Sequence, residues 1–188
     1  MKKTVITAVL YTLITAIILG IGYPLLIAGF GLVLFPHQAD GSLITRNGQV
    51  IGSQLIGQAF TGDSYFHSRP SNAGAGYDST SSGGSNLAST SKALIDRVQA
   101  STTAEQATSK APVPIDLVTS SASGLDPDIT PAAAYYQAPR IAQARHLSEA
   151  AVTQLIDSHI TQRQFGLLGE PHINVLDLNL ALDATTTH

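Results

Sequence analysis

The chain has 188 residues, a formal net charge of −3 and no cysteine, and charged residues make up only 12% of it, about half the share usual in a soluble domain. Without a basic stripe it offers nucleic acid no electrostatic footprint, and without thiols it can form neither disulfides nor thiolate metal centres nor a cysteine nucleophile. Beyond an apolar N-terminal stretch it is rich in Ser, Thr, Gln and Gly, with enough Leu, Ile, Val and Ala for a modest core; a domain of that length folds without staples.

Between Lys3 and Asp40 there is no Asp, Glu, Lys or Arg, and Val5–Phe35 is nearly all aliphatic, glycine or aromatic. About 20 such residues suffice to cross a bilayer, so the stretch predicts a membrane helix with length to spare. A cleaved signal has an apolar core of only about 7–15 residues; this run continues past that, through Tyr23, Pro24 and Phe30. Lys2 and Lys3 precede the span and the next basic residue is Arg46. The positive-inside rule then expects residues 1–4 in the cytoplasm, 5–35 in the membrane and 36–188 outside. Tyr23-Pro24 frees a backbone carbonyl in mid-span, and Gly20, Gly22, Gly29 and Gly31 permit close helix approach. These residues mark a helix that packs against protein partners.

After the span, Asn47-Gly48 between two short apolar runs predicts a hairpin, because a type I′ turn needs positive φ at both centres. The stretch from Tyr65 to Asn86 is dense in Gly, Ser and Asn, reads by composition as a flexible linker, and yet carries Tyr65, Phe66, Tyr77 and Arg69-Pro70. Asn86 is expected to cap a helix with Leu87, Leu94, Ile95 and Val98 on one face. Thr130 followed by Pro131 predicts another helix start. A third helix is expected from Ser148, with a staple between Leu147 and Val152 and a buried stripe of Val152, Leu155, Ile156 and Ile160. The alternation in Ile173–Leu180 predicts a half-buried strand. The expected fold is one transmembrane helix followed by a mixed α/β (α+β) extracytoplasmic domain, with a small sheet and three to four helices.

Catalytic patterns are scarce. There is no phosphate-cradling GxxxxGK[ST], no dinucleotide fingerprint, and no Asp-Lys-Thr-Gly of the kind that transport ATPases phosphorylate. His67, His146, His159 and His172 are scattered, without metal-ligand spacing, and read as packing or surface residues. Ser89-Thr90-Ser91-Lys92 fits the S-x-x-K pattern of an acyl-transfer enzyme, just inside the expected helix, but neither S-D-N nor K-T-G follows. No catalytic, cofactor or metal site is expected in this chain.

Three blocks carry a resemblance. IGSQLIGQAF with YFHSRPSNAGAGYDSTSSGGSNLASTS, VTSSASGLDPDITPAAAYYQAPRIAQAR, and LLGEPHINVLDLNLAL, with the lone span and its Tyr23-Pro24, resemble the C subunit of the Kdp potassium-transporting ATPase over nearly the whole chain. Ala122 stands where that family's SGSGLDP run would have Gly, so positive φ is not needed there. The resemblance implies an accessory, non-catalytic subunit of a four-part pump. Its partners would be a channel-like potassium-binding subunit, a P-type ATPase subunit that holds ATP with magnesium, and a small single-span subunit. Potassium would be the transported ion and membrane lipid a further neighbour. The family's C subunit is described as a catalytic chaperone raising the ATP affinity of the hydrolysing subunit. Residues expected to meet partners are Tyr23 and Pro24 in the span, and Tyr65, Phe66, Arg69, Pro70, Ser71, Gly83, Gly84, Ser85 and Asn86 in the loop. The alternative is a membrane-anchored binding module unrelated to transport.

Overall fold

The computed structural model describes residues 1–107, 109 and 111–185, and its backbone falls into two units, Met1–Ile51 and Gly52–His188. In the first, α1 (Lys2–Ile17), a π-helical turn (Ile18–Gly22) and α2 (Tyr23–Leu34) follow one another without interruption. Lys2–Leu34 is one 33-residue helix of mean hydropathy 2.3, long and apolar enough to cross a membrane. The π turn has a local cause. Pro24 has no N–H to give Gly20, and its ring would strike that carbonyl in a regular helix. The helix widens instead, and Tyr23 N–H donates to the Ile18 carbonyl five residues back.

Phe35 leaves the helical region at φ −137°, ψ 55°, as a residue before proline tends to, and Pro36 opens the short α3 (Pro36–Ala39). Strands β1 (Leu43–Arg46) and β2 (Gln49–Ser53) pair across Asn47-Gly48, whose φ values of 54° and 76° are those of the expected turn.

The second unit holds the core. Its helices are α4 (Lys92–Gln106), α5 (Pro131–Arg145), α6 (Glu149–Ser158) and α7 (Val175–Thr185), with β3 (Asp128–Ile129) antiparallel to β4 (Ile173–Asn174). Helix α5 begins as its sequence predicts: Pro131 occupies the first turn and the Thr130 hydroxyl accepts from Ala133 N–H. It ends in a Schellman turn. His146 takes φ 55°, Leu147 N–H donates to Ala142 O and His146 N–H to Gln143 O. Ser148 then caps α6 through Ala151 N–H, and Leu147 and Val152 both pack on the core. Val152 and Ile156 are buried, Leu155 and Ile160 partly so. Small residues on α5 (Ala133, Ala134, Ala138, Ala142) let it lie close to its neighbours, while Ile141, Ile156, Ile173, Leu178 and Leu182 fill the centre.

Two expected elements differ. Ile173–Leu180 is not a strand: only Ile173 and Asn174 pair, and the rest is α7. Asn174 Oδ1 accepts from Asp177 N–H, capping a helix whose buried residues Val175, Leu178, Asn179 and Leu182 follow the i, i+3, i+4, i+7 period. Asn86 caps nothing. It sits exposed at φ 52°, and α4 starts after Ser91 instead. None of α4's side chains is fully buried, and Ile95 remains 57% exposed. Ser89 therefore precedes the helix rather than lying inside it, and the Lys92 ammonium binds the Asp96 carboxylate in solvent.

Candidate functional site

The segment that composition marks as a linker is instead bonded into the fold. Phe66 N–H donates to Asn179 Oδ1 at 2.8 Å and Asn179 Nδ2 donates to Phe66 O at 2.9 Å. At the next residue, His67 N–H donates to Gln137 Oε1 at 2.7 Å and Gln137 Nε2 reaches His67 O at 3.3 Å. Both amides are buried, each 2% exposed. In extended chain, one residue's N–H and C=O face one side and the next residue's face the other. Asn179 from α7 and Gln137 from α5 thus stand in for two flanking strands.

Cations of α5 hold the approach to this segment. Arg140 donates to the carbonyls of Asp63 and Tyr65, and Arg145 Nε donates to Ser64 O at 2.7 Å. Arg145 also pairs with Asp183 of α7 at 2.8 Å, and its guanidinium lies 4.7 Å from the centre of the Tyr65 ring, within cation–π range. Tyr65 stacks at a tilt on Phe60, 5.9 Å away.

Further along, Arg69 pairs with Asp126 at 3.0 Å. The Ser71 hydroxyl donates to Gly124 O at 2.6 Å and accepts from the N–H groups of Ala73 and Tyr77, while Tyr77 OH donates to Arg69 O. Gly83 N–H donates to Ser123 O. Gly124, at φ 67°, has no room for a side chain: a Cβ there would come within 2.6 Å of Ala73 N and Gly83 O. Ala122, by contrast, is not among the residues of positive φ. So the 121–124 turn and the 69–84 loop close on each other through backbone.

Of the residues expected to meet partners, Tyr23 and Pro24 lie at the π turn in the first unit and the others in the second. Phe66 is 0% exposed and cannot be a contact on a free surface; its ring belongs to the core. Tyr65, Arg69, Pro70, Ser71, Gly83, Gly84 and Ser85 are half-buried, and only Asn86 is exposed. Sequence reading missed Asn179, Gln137, Arg140, Arg145 and Asp126. The available signal was a polar residue at a core position of an apolar run, as Asn179 is in VLDLNLAL.

Between this loop and α4 lies an open cleft of about 370 Å³, lined by Phe60, His67, Pro70, Tyr77 and Glu105 among others. Burial, and then the Arg140 charge, hold the His67 imidazole below its ordinary pKa. Burial pushes the Glu105 carboxyl and the Tyr77 phenol up. Among the described residues no group of three or more His, Cys, Asp or Glu could hold a metal ion.

Comparison with known proteins agrees over nearly the whole chain. The family model described as "KdpC: K+-transporting ATPase, c chain" matches residues 5–184. The potassium-transporting ATPase KdpC subunit of Acidobacterium capsulatum is 67% identical, over 94% of this chain and 96% of its own. Those of Koribacter versatilis and Methylobacterium nodulans are 52% and 50% identical, over 98% and 97% of this chain and 96% of each relative. With its long apolar helix and its α+β unit matched together, the chain belongs to the KdpC family, the c chain of the potassium-transporting ATPase.

Proposed function

We propose that this chain is a non-catalytic assembly subunit of its ATPase, anchored by Lys2–Leu34 with residues 36–188 outside the cytoplasm. The observation that carries the reading is the 33-residue apolar helix Lys2–Leu34, with Lys2 and Lys3 at its very start and no further basic residue until Arg46. On that orientation the α+β unit faces the side from which potassium enters. ATP and magnesium bind on the opposite side, at the P-type subunit. Any effect on ATP affinity then passes through the membrane helix, as a coupling between two distant sites, rather than through contact with nucleotide.

The partners on this reading are the channel-like subunit, the P-type subunit and the small single-span subunit. Tyr23, Pro24 and the span's glycines serve contacts within the membrane. The rim of the 65–86 loop, with Tyr65, Arg69, Pro70, Ser71, Gly83, Gly84, Ser85 and Asn86, serves the outer contact, and Phe66 supports it from beneath. Family membership weighs against a binding module unrelated to transport.

Orientation is tested by protease access to a tag after His188 in spheroplasts. Cleavage from outside is expected; a tag reachable only from the cytosol overturns the reading. The ATPase prepared with and without this chain gives the second measurement. A change in the KM for ATP with an intact helix and a deleted outer unit supports coupling through the span, and complete loss of that change places the effect in the outer unit.

A further inference from the structure

Thr161 and His172 bridge at the base of a small hairpin whose turn is closed by reciprocal bonds between Gln164 and Leu168. Arg163 and Glu170 pair across its neck. Its tip carries Phe165, Leu167 and Leu168, which are 94%, 81% and 60% exposed. These side chains do not trail from a loose loop. Gly166 N–H donates to Arg163 O and Leu167 N–H to Gln164 O, which fixes the turn from within.

Phe165 also sits at φ 53°, a conformation in which a bulky residue is strained and glycine is at ease. A phenyl ring held out into water from a strained backbone is a costly arrangement for folding alone. We infer that this tip is a preorganised apolar knob that seats in an uncharged, apolar pocket on another chain of the same ATPase. The inference rests on the assembly reading above and adds to it a specific contact outside the 65–86 loop.

Size and charge choose this occupant over two others. The three side chains offer on the order of 400 Å², whereas a stable interface takes about 800 Å² from each partner. The tip is therefore too small to hold two copies of this chain together, but it has the size of an aromatic and aliphatic anchor within a larger contact. An anionic lipid surface recruits unpaired Lys and Arg. Here residues 164–169 carry no charge and Arg163 is matched by Glu170, so the tip has no electrostatic pull towards lipid headgroups.

The test uses the full chain in its complex, in mild detergent. A photo-reactive phenylalanine analogue at position 165 is expected to cross-link to another ATPase chain. The Phe165→Ser/Leu167→Ser variant is expected to hold those chains roughly ten- to thirty-fold more weakly, with an unchanged thermal midpoint because the replaced side chains lie in solvent. Cross-links to lipid, to a second copy of this chain or to nothing overturn the knob, as does undiminished co-purification of the variant. If the unmodified chain itself fails to co-purify with any ATPase chain, the assembly reading falls as well. If it co-purifies while the tip cross-links to nothing, only the knob falls.

Discussion

Phe66 and His67 each bring a buried or half-buried N–H and carbonyl that a sheet would pair with neighbouring strands, and Asn179 and Gln137 supply those bonds from helices. Replacing Asn179 by leucine keeps the branched outline of the side chain, in a bulkier form, and strips both partners from Phe66. Two unpaired backbone groups at about 1–3 kcal/mol each suggest a loss of about 3 kcal/mol, read as a fall in the urea midpoint. Asn179→Asp keeps the acceptor, loses the donor and buries a charge, so it should be no better tolerated. His67 gives a pH dependence of definite sign. Its folded pKa lies below the ordinary 6.5, through burial and the nearby Arg140, so the unfolded chain takes up the proton first. Stability should be insensitive to this group above pH 6.5 and should fall as pH drops from there towards the folded pKa. His67→Gln should flatten that part of the urea-midpoint profile; an unaltered slope would show that His67 is not the group responsible. None of this could be read locally. The residues that hold 66 and 67 lie 113 and 70 positions away, and a Ser/Gly-rich composition says only that a segment cannot hold itself.

Helix boundaries were legible where a side chain closes its own first turn. Thr130 and Ser148 each accept a bond from the N–H three residues on, and such caps need no tertiary context. Thr130→Ala and Ser148→Ala should each cost about 1 kcal/mol, additive within error when combined, by chemical denaturation. Asn47-Gly48 was legible for the same reason, since both positions of the turn demand positive φ. Helix α7 was not. Its run of apolar residues alternates over Ile173–Leu180 and also fits the helical period. What decides is Asn174, which ends β4 and caps α7 at once. Asn86 failed as a cap because its chemistry suits a left-handed turn equally well, which is how it is used.

At the scale of the whole chain, the long apolar helix and the α+β unit divide the work. Among the described residues, every buried member of the hydrophobic core lies between Phe66 and Leu182, within the second unit. That unit should therefore unfold cooperatively whether or not Lys2–Leu34 is attached. A calorimetric transition that vanishes on removal of the helix would refute this. The closing bonds of the 62–73 segment impose an order on manufacture. A ribosome delivers Phe66 long before Asn179, and Arg145 before its carboxylate Asp183, so the Phe66 clasp stays open until α7 is made, even after α5 has taken hold of the residues beside it. A polypeptide stopped after Pro171 should be nicked by protease within residues 62–73, while the finished one resists there, and mass mapping of the fragments would reveal it. Helix α7, eleven residues long, is thus the latch, and quality control that inspects this glycine-rich stretch is in effect asking whether synthesis has passed it.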